Sequence, residues 1–143
     1  MKTVILIIFL LGLSAGEVFS QTTHEVVLAG YNNVPPVRTP ATGILEVTAH
    51  NDSLFVSGEF QDLRGQYWSA YIHYGKEGET GNRLIQLRAD VNEEKNGGEF
   101  KKERNSFELR PAIKRALQEG NLYIMISSHR NQDGEIRGQI PRM

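Results

Sequence analysis

Apolar and polar residues alternate with a period of two along most of this chain, and that restricts the fold more than any other feature. Successive side chains of a strand point to opposite faces, so alternation marks a sheet with one face on a core. His24 to Ala29 opens the pattern and stops at Gly30. From Gly43 to Ala49, Leu45, Val47 and Ala49 share one face, and after a turn at Asn51-Asp52 the residues Leu54, Val56, Gly58 and Phe60 share another. These two runs predict an antiparallel hairpin.

Tyr67 to Tyr74 is dense in aromatic and β-branched residues, with Trp68, Ala70 and Ile72 expected on one side and Tyr71 and His73 on the other. A glycine-rich loop, Gly75 to Gly81, leads into Arg83 to Ala89, where Ile85, Leu87 and Ala89 share a face. Asn92 to Asn105 is charged, contains Gly97-Gly98, and is expected to be a solvated loop before a short strand at Ser106 to Leu109. Leu122, Ile124 and Ile126 alternate next, and a turn at Asn131 to Gly134 precedes a closing strand, Glu135 to Ile140. Pro35 and Pro36 lack amide donors, which bars residues 31–37 from a central strand. One short helix is expected, with Pro111 in its first turn and Gly120 as its stop. About eight short strands joined by turns predict an all-β antiparallel sandwich or barrel. No strand-helix alternation and no glycine-rich phosphate motif points to a nucleotide-binding sheet.

The amino terminus carries a different signal. Lys2 precedes an uncharged apolar run, Val4 to Leu13, that is shorter than the about 20 residues needed to span a bilayer. Small residues follow, so residues 1–20 are expected to be a cleaved secretory signal peptide, and a cut after Gly16 also fits the pattern. The domain then spans residues 21–143, secreted or periplasmic, with no transmembrane anchor after cleavage. Roughly 120 residues suffice for one core that buries about two-thirds of the surface of its unfolded chain. Sixteen basic and seventeen acidic residues give a charge of -1, which disfavours a nucleic-acid partner. Without cysteine, neither disulfides nor a thiol nucleophile are available.

Residues with chemical potential are few. None of the four histidines has a second at i+2 on the same strand face, the spacing that commonly builds a metal site. Ser127 and His129 share a face but have no assignable acidic partner, and no G-x-S-x-G elbow occurs. No catalytic, cofactor-binding or metal residue is therefore assigned. Glu77/Glu79 and Glu93/Glu94 lie in charged loops, and Asn51-Asp52-Ser53 is a glycosylation triplet on a turn. Tyr67, Tyr71, His73 and Tyr74 form a candidate binding face, or else complete the core. Glu135 and Arg137 share the outward face of the closing strand. They are a candidate register pair, or a charged surface for a partner, and charge there also guards a terminal strand against aggregation. Asp62 to Gln66 echoes Glu135 to Gln139, but the flanks differ and no duplication is inferred.

Together, Asn33-Val34-Pro35-Pro36-Val37, Gly43 before a strand, Ala70-Tyr71-Ile72-His73, and Gly134-Glu135-Ile136-Arg137-Gly138-Gln139-Ile140 resemble the CHRD domain over residues 24–140. The closing motif is the most specific element. CHRD domains occur in the extracellular antagonist chordin and, singly, in exported microbial proteins. The resemblance implies an immunoglobulin-like β-sandwich, no established enzymatic activity, and a limited likeness to the copper-zinc superoxide dismutase fold. Many members carry His-x-His where this chain has Tyr71-Ile72-His73, and a histidine where it has Ser127, so an inherited metal role is weakened here. The resulting expectation is an exported, noncatalytic binding or structural module for an extracellular protein or glycan. The alternative is a copper- or zinc-dependent enzyme, and a third reading is assembly through an edge strand.

Overall fold

The computed structural model describes residues 20–143. The expected signal segment, residues 1–20, lies outside the described residues apart from Ser20. Ten strands and one helix follow in chain order: β1 (Gln21–Ala29), β2 (Thr42–His50), β3 (Ser53–Gln61), β4 (Tyr67–Tyr74), β5 (Arg83–Leu87), β6 (Ala89–Val91), β7 (Gly98–Phe100), β8 (Ser106–Glu108), α1 (Pro111–Glu119), β9 (Leu122–Ser128) and β10 (Ile136–Ile140).

The chain is all-β, and its strands form one antiparallel sheet in the order β5-β4-β9-β10-β1-β2-β3-β7-β6, with β8 paired to the start of β3. Its two ends, β5 and β6, are separated in the chain by Arg88 alone. Consecutive Cα atoms lie about 3.8 Å apart, so the sheet has to roll until its first and last strands adjoin. A nearly closed barrel results. Asn105, fully buried, closes the seam. The Arg88 amide donates to its Oδ1 at 2.8 Å, its Nδ2 donates to the Arg88 carbonyl at 2.9 Å, and its own carbonyl accepts from Val56 N–H at 3.0 Å.

The alternating faces predicted for the hairpin are observed. Leu45 and Val47 of β2 and Leu54, Val56 and Phe60 of β3 are buried, and Asn51 makes the turn at φ 55°, a conformation asparagine tolerates. Ala70 and Ile72 of β4 and Ile124 and Ile126 of β9 face them across the same core, and α1 adds Ala116 and Leu117. Pro111 opens α1 and Gly120 ends it in the left-handed conformation, φ 76°, as the sequence predicts.

Four expectations are corrected. The strand count is ten rather than about eight. Arg88 splits residues 83–91 into β5 and β6, and residues 92–105 hold β7 and a 3-10 turn (Lys102–Arg104) instead of being all loop, because a three-residue strand is too short for its alternation to show. Trp68 is 46% exposed rather than beside Ala70 and Ile72, because the β4–β9 register shifts between Tyr67 and Ser69. Glu135 and Arg137 are buried rather than on a solvated face, because loops cover that side of the sheet. And β10 lies between β9 and β1, so it is no edge strand in need of guarding charge.

Candidate functional site

The outer face of the sheet where β4, β9 and β10 lie side by side carries most of the polar chemistry. His73, Tyr123 and Arg137 project there, each opposite in parity to a core residue: Ile72, Ile124 and Ile136. They stack across the strands. The His73 imidazole lies nearly parallel to the Tyr123 ring at 4.8 Å, and the Arg137 guanidinium lies 3.5 Å from the same ring's centroid. Tyr71 extends the array, edge-on to His73 and beneath Arg83 at 4.7 Å. Guanidinium over an aromatic face is attractive because the ring's negative face meets the cation.

Each member is anchored. His73 Nδ1 lies 3.0 Å from the Gly81 carbonyl, which only accepts, so Nδ1 carries the proton and Nε2 holds the lone pair. That Nε2 is buried with no hydrogen-bond partner. Burial holds the His73 pKa below the ordinary histidine value, against the pull of the Gly81 carbonyl and with help from Arg83 and Arg137. The lowered pKa favours the neutral ring. The Gly81 amide donates to the Tyr123 hydroxyl at 3.1 Å. Arg137 Nη2 donates to the Lys76 carbonyl at 2.9 Å and more weakly to Gln139 Oε1 at 3.5 Å. None of the ion pairs among the described residues includes Arg137.

Glu135 occupies the same outer side of the chain two residues earlier and does a different job. Its Oε1 accepts from Thr39 Oγ1 at 2.5 Å and the Arg64 amide at 2.7 Å, and its Oε2 accepts from Ser128 Oγ at 2.5 Å. Three separate segments are thereby tied to the start of β10. Burial pushes the Glu135 pKa up, but these hydrogen bonds, together with Asn131, outweigh it and hold the carboxyl below its ordinary value. The loop with the two prolines is clasped to the same strand, with Asn33 Nδ2 donating to the Glu135 carbonyl at 2.6 Å and Asn32 Nδ2 to the Arg137 carbonyl at 3.0 Å.

Between that loop, the turn at residues 130–134 and the segment at 80–83 lies an open cleft of about 900 Å³, with His73, Tyr123 and Arg137 in its lining. Arg83 and Arg130 bring further positive charge and Asp133 a negative one.

The four residues of the expected binding face do not converge. Tyr71 and His73 meet on the outer face. Tyr67 instead packs its ring 5.5 Å from Phe60, at the core, where burial, with Tyr71 adding to it, pushes its hydroxyl up to about 12. Tyr74 has the parity of Ile72 and stands half exposed at the strand end. Ser127 is buried and His129 lies against Trp68 at 4.6 Å, while the neighbouring Ser128 hydroxyl is committed to Glu135. Among the described residues, no three His, Asp or Glu side chains gather in a way that would hold a metal ion. Tyr123 is the member that sequence reasoning missed. Its alternation with Leu122 and Ile124 placed it on the outer face, but nothing local told which strands would flank it.

The family model of the CHRD domain matches residues 24–140. No curated protein and no solved structure matches the chain.

Proposed function

The chain belongs to the CHRD domain family, and from that premise we propose that it is an exported, noncatalytic module that binds an extracellular protein or glycan in the cleft over β4, β9 and β10. One observation carries this reading: an open cleft is lined by a buried guanidinium that makes no ion pair and, across the Tyr123 ring from it, by an imidazole whose buried Nε2 no protein group satisfies. Buried polar groups are ordinarily paired, so an unsatisfied imidazole nitrogen and an unpaired cation at one cleft support a place for a ligand. Tyr71 and His73 contribute by holding the array that presents Arg137, and Glu135 by fixing the register of β10 beneath it.

The domain of this reading is residues 21–143, preceded by a signal peptide at 1–20. In support, β1 starts at Gln21, directly after the expected cut. Within this proposal the barrel is flattened, in the manner of an immunoglobulin-like sandwich. That shape is supported by β1, β2 and β3 packing their inner faces on those of β4 and β9.

The test is an array of defined extracellular glycans and proteins probed with the wild-type chain and with Gln132→Trp, which sets a large ring at the exposed mouth of the cleft. Capture of an identified ligand by the wild type and its loss in the variant is the expected result. Capture that persists in Gln132→Trp would move the site elsewhere, and a blank array would sink the binding role.

A further inference from the structure

Arg137 is the most unusual group in the molecule. It is 2% exposed, yet its charge is met by two neutral oxygens and a tyrosine ring rather than by a carboxylate. Its Nε and Nη1 have no hydrogen-bond partner among the described residues, which leaves three N–H donors of a planar fork uncommitted. Leaving a charge buried without an opposite charge is costly, whereas a carboxylate fits this fork with two parallel hydrogen bonds. The charges around it indicate how much negative charge the cleft accommodates. Arg83, Arg130 and Arg137 are opposed by Asp133 in the cleft and by Glu77 in the adjoining hollow behind Arg137. The balance is one positive charge, which suits a singly charged group seated at Arg137 better than a dianionic phosphate there.

The second requirement comes from His73. With Nδ1–H given to Gly81, the buried and unpartnered Nε2 is an acceptor, so its complement is a donor and not another anion. A ligand with a carboxylate and hydroxyl groups answers both demands. Among the remaining walls, Thr80, Asn82, Asn131 and Gln132 offer hydroxyl and amide groups that donate and accept, as sugar hydroxyls do, while Val34, Pro35, Val37 and Met125 are apolar. Tyr123, in the lining of the cleft, offers no free face to an apolar side chain of a peptide, since its ring is covered by His73 and Arg137.

We infer that the cleft takes a uronic-acid-containing glycan, with Arg137 receiving the carboxylate and His73 Nε2 accepting a hydroxyl. This rests on the cleft being the binding site, as proposed above. Charge-assisted hydrogen bonds are roughly twice as strong as neutral ones, and two act together in a fork, so removing the ligand's charge should weaken binding about tenfold.

The experiment titrates the full chain by calorimetry with trigalacturonate, its methyl ester, and a tetraglutamate peptide. Trigalacturonate is expected to bind about tenfold more tightly than the ester and more tightly than the peptide. The ester comparison uses one protein and is immune to misfolding of a variant. Arg137→Lys, which keeps the charge but not the fork, is expected to lose at least tenfold for the acid and little for the ester. Equal binding of acid and ester, competed away by Gln132→Trp, would overturn the carboxylate assignment and leave the cleft as the site. Tighter binding of the peptide, or no binding of trigalacturonate, would overturn the glycan class. Binding unaffected by Gln132→Trp would overturn the site itself.

Discussion

Replacing Glu135 tests the physical account of this fold most directly, because a fully buried carboxylate with no cation beside it should be a liability. Here it is stabilised by donors from three segments: the Thr39 hydroxyl, the Arg64 amide and the Ser128 hydroxyl. Glu135→Ala leaves all three without an acceptor. An unsatisfied buried donor costs about 1–3 kcal/mol, but the two hydroxyls can rotate, and water can enter the space left by the carboxyl. Release of the buried charge offsets part of the loss. We expect a net destabilisation of about 3–5 kcal/mol, against a total stability of about 5–15 kcal/mol for a domain of this kind. Glu135→Gln keeps the shape and one carbonyl acceptor, and the Ser128 hydroxyl can turn to accept from the new amide. Its expected cost is about 1–2 kcal/mol, the loss of charge assistance alone.

Urea unfolding measures both variants, with the midpoint highest for wild type, lower for Glu135→Gln and lowest for Glu135→Ala, at unchanged slope. The pH dependence supplies an independent check. A carboxyl whose folded pKa lies below its value of 4.5 in the open chain stabilises the fold above that pH, and the contribution is lost as pH falls from 4.5 through the folded value. The amide of Glu135→Gln cannot titrate, so the stability of that variant should fall less between pH 6 and pH 3 than that of the wild type. Two results would refute the reasoning: Glu135→Ala within about 1 kcal/mol of wild type, or equal acid sensitivity in the wild type and in Glu135→Gln.

His73 titrates in the same sense but in a different window. Its folded pKa lies below the open-chain value of 6.5, so its contribution is present above that pH and is lost on acidification below it. An imidazole NMR titration should give a midpoint under 6.5, and His73→Phe should flatten stability between pH 7 and pH 5. Gly138→Ala should cost about 3 kcal/mol or more in urea melts, because a Cβ there would lie 2.6 Å from the Val27 carbonyl oxygen and 2.7 Å from Val26 Cγ1 inside the packed β1–β10 crossing. A loss under about 1 kcal/mol would mean that the two strands can part freely. Trp68→Ala should change stability by less than about 1 kcal/mol, as expected for a half-exposed ring with an edge contact to His129, and a larger loss would place Trp68 in the core after all.

The inward faces of β2, β3 and β9 were legible in the sequence because alternation is a local property. Backbone geometry sends each side chain opposite to its neighbour whatever lies beyond, so Leu45, Val47, Leu54, Val56, Ile124 and Ile126 could be assigned to the core without knowing what they touch. The helix was legible for a similar reason, since Pro111 and Gly120 act on their own backbone. Alternation also told that Glu135 and Arg137 point away from Ile136. What it could not tell is what covers that other side. The cover comes from Asn32, Asn33 and Thr39, about a hundred residues earlier in the chain, and it turns two apparently solvated charges into a clasp and a buried cation. Strand order belongs to the same class of fact. β10 lies between β9 and β1, and Tyr123 between His73 and Arg137, only because the sheet rolls up until β5 meets β6. The faces follow from each segment's own residues, whereas the neighbours, and with them the cleft, follow from closure of the whole sheet.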